Sequence, residues 1–200
     1  MGALPSDRAW GPTEPSSLTS DIEQVETLIS ARRIHDRVEE LGRQITADYP
    51  ERLGDPPLLL AGVLKGSIVF LADLARAIRR HVSFDFLGAS SYGSSTESSG
   101  QIRLTKELDG EIEGLDVLLV EDIVDTGLTV EWLSNHLRRK NPRSLRVATL
   151  LDKPSRRLKS VPLAYVGFEI PDEFVVGYGL DYAQRYRNRP DIAVLRGVSA

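Results

Sequence analysis

The sequence contains no cysteine and a single methionine among its 200 residues. Without cysteine there can be no disulfide bond, iron–sulfur cluster or thiolate zinc site. No apolar run approaches the roughly 18 residues that a membrane-spanning helix needs. The start of the chain also lacks the basic segment and apolar stretch of a secretory signal. We therefore expect a cytoplasmic protein that does not enter a membrane.

The sequence also has no excess of positive charge: its 25 Lys and Arg residues and 29 Asp and Glu residues give a net charge of −4. This balance argues against a nucleic-acid partner held by phosphate contacts. The histidines, His35, His81 and His136, are too scattered to suggest a metal site. The composition is typical of one globular domain, which we place at residues 21–200. Residues 1–20 are rich in Pro, Gly and Ser, and we expect them to form a disordered tail.

The first periodic segment is a helical stripe of apolar residues from Ile34 to Ile45. Ser30 is a suitable N-cap for this helix, and Pro50 lies beyond its end. The segment from Ser20 to Glu23 resembles a capping box, so an earlier helix start stays open at this point.

Farther along, short continuous apolar runs alternate with helical patterns. Such runs predict strands that are covered on both faces. The predicted strands are Leu58–Val63, Val82–Leu87, Val117–Val120 and Leu145–Leu151, with shorter ones at Tyr165–Phe168 and Phe174–Val176. Helical spacing separates the first of these strands from the second, and the third from the fourth. This alternation predicts an α/β protein with a parallel sheet and right-handed crossovers.

The most informative segment follows the run Val117–Val120. Ligands of open parallel sheets bind beyond the carboxyl ends of the strands. Here Glu121 and Asp122 leave the strand, and the turn Asp125–Thr129 leads into a helix. Backbone N–H groups and hydroxyls in such a turn form a phosphate cradle, although the turn lacks the lysine of a Walker A loop. Phosphate beside carboxylates favours a sugar phosphate, and the alternative is a capped helix start with solvated acidic groups.

The segment Val117–Thr129 resembles the phosphoribosyl-diphosphate signature of type I phosphoribosyltransferases. From about Leu58 to Arg187 the chain resembles the hypoxanthine-guanine family among them. The other matching segments are Val63–Gly66, Ser91–Tyr92, Lys153 and Val166–Tyr182. The resemblance implies a parallel sheet flanked by helices, with a small hood and a flexible lid loop. It also implies transfer of a 5-phosphoribosyl group from its 1-diphosphate to hypoxanthine or guanine, with Mg²⁺.

The resemblance assigns the phosphorylated substrate to three sets of residues. The ribose 5-phosphate falls on Glu121, Asp122, Asp125, Thr126, Gly127, Leu128 and Thr129. The diphosphate falls on Lys65, Gly66 and Arg187, and magnesium on Glu121, Asp122 and Asp181. The family often has a cis peptide at the position of Leu64–Lys65. A competing interpretation of Arg187 places it in a solvated basic tail with Arg185, Arg189 and Arg196.

For the purine, the resemblance implies stacking on Phe174, a backbone contact at Val175 and a further contact near Asp181. Lys153 would donate to the 6-oxo group, which a 6-amino purine cannot match. Asp125 would act as general base or acid at the purine N7. For Phe174, a place in the core is the alternative.

The Ser-rich segment 90–100 would be the lid, acting through Ser91 and Tyr92 to keep water from the reacting centre. Read without the resemblance, it is a flexible surface loop. We expect a homodimer or homotetramer and no nucleic-acid or membrane partner. Two other functions stay open: a xanthine-preferring transferase, and a regulator of this fold that binds nucleic acid.

Overall fold

The computed structural model describes residues 24–91 and 102–197. The helices in these ranges are α1 (Ala31–Asp48), α2 (Ile68–Ala77) and α3 (Leu128–Arg138). The strands are β1 (Gln24–Ile29), β2 (Leu58–Leu64), β3 (Val82–Ser91), β4 (Ile102–Lys106), β5 (Asp116–Val124), β6 (Ser144–Asp152), β7 (Tyr165–Glu169), β8 (Val175–Val176) and β9 (Ile192–Arg196). The expected tail at 1–20 and the lid residue Tyr92 lie outside the described residues. No helix in the described part of the chain is both long and apolar enough to span a bilayer.

The main sheet has the strand order β4-β3-β2-β5-β6-β7. All neighbouring strands in it are parallel except β3 and β4. The predicted α/β sheet is therefore confirmed. Strand β4 was not predicted, because it is a short edge strand whose side chains are only half-buried or exposed. It pairs with the end of β3, so Ser90 and Ser91 belong to a strand and not to the predicted loop.

Helices cover both faces of the sheet. Ser30 caps the N-terminus of helix α1: its Oγ accepts a hydrogen bond from the Arg33 backbone N–H at 3.4 Å. The apolar stripe of the helix is buried. Helices α1 and α2 approach so closely that a Cβ atom on Gly42 would lie 2.5 Å from the Cβ atom of Ala77. These two helices share one hydrophobic cluster with one face of the sheet, and α3 packs against the opposite face. Burial on both faces accounts for the continuous apolar runs.

Strands β1, β9 and β8 form a separate antiparallel sheet, which is the predicted hood. The earlier helix start is wrong, because Gln24–Ile29 is a strand that pairs with β9. Strand β9 was not predicted either. Arg196 at its end pairs with Glu26 of β1 at 3.0 Å, so it belongs to this sheet and not to a tail, although both side chains are exposed. These strands are specified by partners at opposite ends of the chain, which local periodicity does not reveal.

Candidate active site

Three adjacent cavities open at the carboxyl ends of the central strands. The largest, about 490 Å³, and the next, about 280 Å³, share Asp181 in their walls. A small one of about 80 Å³ shares Asp125 with the largest and Glu121 with the second. We call them the base pocket (490 Å³), the carboxylate pocket (280 Å³) and the turn pocket (80 Å³). Together they make one continuous site along this edge of the sheet, where such folds bind ligands.

The carboxylate pocket contains two acidic side chains at the end of β5, Glu121, which is buried, and Asp122, which is partly buried. Burial raises the pKa of Glu121 well above its usual range, and no group among the described residues hydrogen-bonds its Oε2 atom. Burial also raises the pKa of Asp122 to about 6, against the opposing effects of backbone hydrogen bonds and the charge of Arg187. A buried acceptor without a partner is costly, so this pocket is suited to a donor or a cation supplied by a ligand.

The loop after β2 forms the opposite wall of the carboxylate pocket. Its Leu64–Lys65 peptide is cis, as the family resemblance implies. Lys65 is exposed and Gly66 is buried. The Ser67 hydroxyl donates to the Val63 carbonyl at 2.6 Å and closes the loop onto the strand. The structure thus brings the predicted residues Lys65 and Gly66 to the carboxylates of β5.

Arg187 and Asp181 complete this pocket. Nη2 of Arg187 lies 2.7 Å from Oδ1 of Asp181, and its Nη1 donates to the Gly179 carbonyl at 2.8 Å. The backbone N–H of Gln184 donates to the other Asp181 oxygen at 2.8 Å. Arg187 is therefore held inside the site, and its interpretation as part of a solvated basic tail is wrong. Both side chains face the same space as Glu121 and Asp122.

The turn between β5 and α3 lines the turn pocket. Gly127 has a φ of +84°, a left-handed conformation that side chains rarely adopt, and a Cβ atom there would lie 2.5 Å from the Lys159 carbonyl oxygen. The Thr126 carbonyl accepts hydrogen bonds from the backbone N–H groups of Leu158 and Lys159 at 2.9 and 3.0 Å. The segment that contains Leu158 and Lys159 thus holds the turn on one side, and the other side of the turn and the start of α3 face the pocket. The predicted residues here are Asp125, Thr126, Gly127, Leu128 and Thr129, and all but Leu128 line the turn pocket.

The base pocket combines an aromatic side chain with cationic side chains. Phe174 lines it and meets the Tyr182 ring edge-on, with centroids 5.7 Å apart, so it is not confined to the core. Lys153 is only 6% exposed, and its Nζ lies 3.9 Å from Oδ1 of Asp172. Val175 lines the same pocket from β8. A flat apolar surface with a buried ammonium group and a nearby carboxylate, that of Asp125, suits a heteroaromatic base.

Sequence reasoning missed Arg156 and Asp172, which also line the base pocket. Nε of Arg156 lies 3.2 Å from Oδ1 of Asp125, and its Nη1 lies 3.5 Å from Oδ1 of Asp172. Arg156 follows Lys153 by three residues in a short 3₁₀ turn (Pro154–Arg156). The position of that turn at the end of β6 was the available signal, because strand ends bear the ligand contacts in this fold class.

The predicted lid is only partly described. Ser90 lines the carboxylate pocket, and Ser91 is the last residue of β3. Tyr92 and most of segment 90–100 lie outside the described residues, so the predicted lid stays a prediction.

Comparison with known proteins agrees with this architecture. Residues 24–183 match the family model described as the phosphoribosyl transferase domain. The hypoxanthine-guanine phosphoribosyltransferase of Mycobacterium tuberculosis is 51% identical over 198 residues, covering 98% of this chain and 97% of the relative. The hypoxanthine phosphoribosyltransferase of Escherichia coli is 49% identical over 168 residues, covering 84% and 93%.

A crystal structure of a hypoxanthine-guanine phosphoribosyltransferase from Bacillus anthracis superimposes with a TM-score of 0.80. It is 47% identical, and the match covers 85% of this chain and 98% of that one. The family model matches most of the chain, and the relatives share about half of its residues. These two findings establish the class of protein that the fold and the pockets indicate. The chain belongs to the phosphoribosyl transferase family.

Proposed function

We propose that the protein is a purine-salvage enzyme. It transfers the 5-phosphoribosyl group of 5-phosphoribosyl 1-diphosphate to hypoxanthine or guanine and forms IMP or GMP with release of diphosphate. The observation that carries this proposal is the continuity of three pockets of different chemistry: a hydroxyl-lined turn, a pair of carboxylates at the end of β5, and an aromatic pocket with a buried lysine. Of the relatives that share about half of their residues with this chain, one is named for hypoxanthine and guanine and the other for hypoxanthine.

The phosphoribosyl group would span the turn pocket and the carboxylate pocket. The 5-phosphate would bind the backbone N–H groups and hydroxyls of the Asp125–Thr129 turn, where the N-terminus of α3 favours negative charge. The ribose hydroxyls would donate to Glu121 and Asp122. Such donors would satisfy the Oε2 atom of Glu121, which has no hydrogen-bond partner among the described residues.

The diphosphate would lie in the carboxylate pocket beside Lys65, Gly66 and Arg187. Magnesium usually keeps several waters and shares carboxylate and substrate phosphate oxygens. Glu121, Asp122 and Asp181 line the pocket, but no group of three acidic or histidine side chains within the described ranges could hold a metal alone. These residues therefore fit an Mg²⁺ ion that arrives with the diphosphate, and the ion would neutralise the departing group.

The purine would stack on Phe174 in the base pocket, with its exocyclic edge at the Val175 backbone and Asp181. Lys153 would donate to the 6-oxo group, and Asp125 would accept the proton at N7. As the bond between C1 of the ribose and the diphosphate oxygen breaks, N9 of the purine forms the new bond to C1. Asp125 takes up the N7 proton, so charge does not accumulate on the purine. Segment 90–100, with Ser91 and Tyr92, would exclude water from the cationic sugar.

We further propose that residues 21–200 form a single domain that acts as a homodimer or homotetramer. We place it in the cytoplasm, because a sugar diphosphate of high charge does not cross membranes unaided. No nucleic-acid or membrane partner is part of this proposal.

The test is a panel of bases. The purified protein is mixed with phosphoribosyl diphosphate, Mg²⁺ and hypoxanthine, guanine, xanthine or adenine, and the absorbance change is recorded. We expect nucleotide from hypoxanthine or guanine and very little from adenine. Preference for xanthine would contradict the substrate assignment, and nucleic-acid binding without turnover would contradict the enzymatic one.

A further inference from the structure

A chain of alternating charges runs along one wall of the base pocket. Asp125 and Arg156 are 3.2 Å apart, Arg156 and Asp172 are 3.5 Å apart, and Asp172 and Lys153 are 3.9 Å apart, each measured between the nearest charged atoms. The four side chains are contributed by the turn after β5, the end of β6 with its 3₁₀ turn, and the loop before β8. All of them line the same pocket.

The two ends of this series of charged side chains, Asp125 and Lys153, are the groups to which the proposed function assigns opposite tasks. Asp125 would accept the purine proton, and Lys153 would donate to the 6-oxo group. Lys153 is buried, and Asp172 is the acidic group with which it forms an ion pair. Oδ1 of Asp125 is buried, and no group among the described residues donates a well-aligned hydrogen bond to it. A buried oxygen without a hydrogen bond is stabilised by a nearby cation, and Nε of the half-exposed Arg156 lies 3.2 Å from it.

The turn that carries Arg156 is fixed by the next residue. Nε of Arg157 donates to the Asp125 carbonyl at 3.0 Å, its Nη2 donates to the Val124 carbonyl at 3.3 Å, and its guanidinium pairs with Asp152. Arg157 thus attaches the 3₁₀ turn to the backbone of Val124 and Asp125 at the end of β5. Because that attachment does not involve Arg156, the Arg156 side chain is available for the pocket.

We propose that Arg156, together with Asp172, is a positioning residue for the bound purine. It holds the Asp125 side chain opposite N7 and the Lys153 side chain opposite O6. This inference rests on the proposed function, which it deepens. Arg156 keeps the Asp125 carboxylate directed into the pocket, and Asp172 transmits the same constraint to Lys153. Because none of the four side chains lines the carboxylate pocket, we expect this charge chain to act on the base and not on the diphosphate.

The kinetic test uses Arg156→Gln, which removes the charge, and Arg156→Lys, which keeps it. For Arg156→Gln we expect kcat/KM for hypoxanthine to fall about tenfold, the scale of coupling between neighbouring charged residues, with KM for phosphoribosyl diphosphate unchanged. Arg156→Lys should regain much of the loss. Asp172→Asn should act in the same direction but less strongly. The matched control is Arg32→Gln, which removes an exposed arginine of α1 paired only with Asp36 among the described residues.

Three kinetic outcomes would overturn the proposal: an unchanged kcat/KM for hypoxanthine, an equal rise in KM for both substrates, or no advantage of lysine over glutamine. A second measurement does not depend on turnover. Urea unfolding of the wild type, Asp125→Asn, Arg156→Gln and the double variant should be non-additive, and additivity would overturn the pairing. If the wild type makes no nucleotide from any base, the proposed function fails, while the unfolding cycle still decides whether Arg156 and Asp125 interact.

Discussion

A Cβ atom on Gly66 would lie 1.5 Å from Oδ2 of Asp122. The loop after β2 and the end of β5 therefore meet without room for any side chain between them. Asp122 is itself partly buried, and its Oδ1 accepts a hydrogen bond from the Ile123 backbone N–H at 3.0 Å, which restricts movement of the carboxyl group. This contact sets the distance between the residues proposed to bind the diphosphate and those proposed to bind the ribose.

Gly66→Ala should therefore disturb the site more than the fold. The added methyl group forces the Asp122 carboxyl group or the loop to move by more than an ångström, and such misplacement of a binding group costs about 10²-fold in rate. We expect kcat/KM for phosphoribosyl diphosphate to fall by this factor, measured with hypoxanthine at saturation. Gly110→Ala is the control, since a Cβ atom there has no neighbour within 4 Å. Equal activity of the two variants would show that the contact does not constrain the site.

Asp125→Ala tests the proposed proton acceptor. Loss of a positioned general base costs about 10²–10⁴-fold in turnover. We expect kcat to fall by at least tenfold, with little change in KM for phosphoribosyl diphosphate, because the turn that would hold the 5-phosphate is fixed by backbone contacts. Circular dichroism and thermal unfolding should show an intact fold. Full activity in a folded Asp125→Ala protein would refute the assignment.

The sequence was sufficient for the parts of this fold whose signals are local. The capped helix α1, the buried strand β5 and the turn Asp125–Thr129 all carry their pattern within a dozen neighbouring residues. Strand β4 was missed because it is an edge strand whose side chains are at most half-buried, and β1 and β9 were missed because each pairs with a strand from the other end of the chain. The family resemblance named most residues that line the pockets, but it did not point to Arg156, whose role depends on how the end of β6 faces β5.

Lys153→Ala tests the basis of selectivity. A site built to bond a polar substituent rejects analogues that lack it by as much as about 10⁴–10⁵-fold, because its own buried group is left unpaired. Removal of the ammonium group should slow transfer to hypoxanthine and narrow the gap between hypoxanthine and adenine. The measurement is the ratio of kcat/KM for the two bases in wild type and variant. An unchanged ratio would count against the role of Lys153.

Asp116 should make the stability of the protein depend on pH. Hydrogen bonds from Arg143 lower the pKa of Asp116, Ser144 acts in the same direction, and burial opposes them. A carboxyl group whose pKa is lower in the folded state stabilises the fold above its unfolded value, near pH 4, and this stabilisation is lost as the pH falls through the folded value. Asp116→Asn should therefore lower the free energy of unfolding at pH 7 by about 1–2 kcal/mol.

The same substitution should have a smaller effect at acidic pH than at pH 7, because the wild-type carboxyl group loses its charge as the pH falls through its lowered folded-state pKa. Urea unfolding across this pH range gives both values, and Glu113→Gln, at an exposed site, serves as the control. A destabilisation that is the same at both pH values would mean that the charge of Asp116 is not the cause.

The central claim is that three connected pockets hold the phosphate, the sugar and the base of one nucleotide. A crystal structure of the protein with bound IMP tests it most directly. We expect the phosphate on the Asp125–Thr129 turn, the ribose hydroxyls at Glu121 and Asp122, and the purine against Phe174 with its 6-oxo group at Lys153. A nucleotide bound elsewhere, or a purine whose N7 faces away from Asp125, would contradict the account.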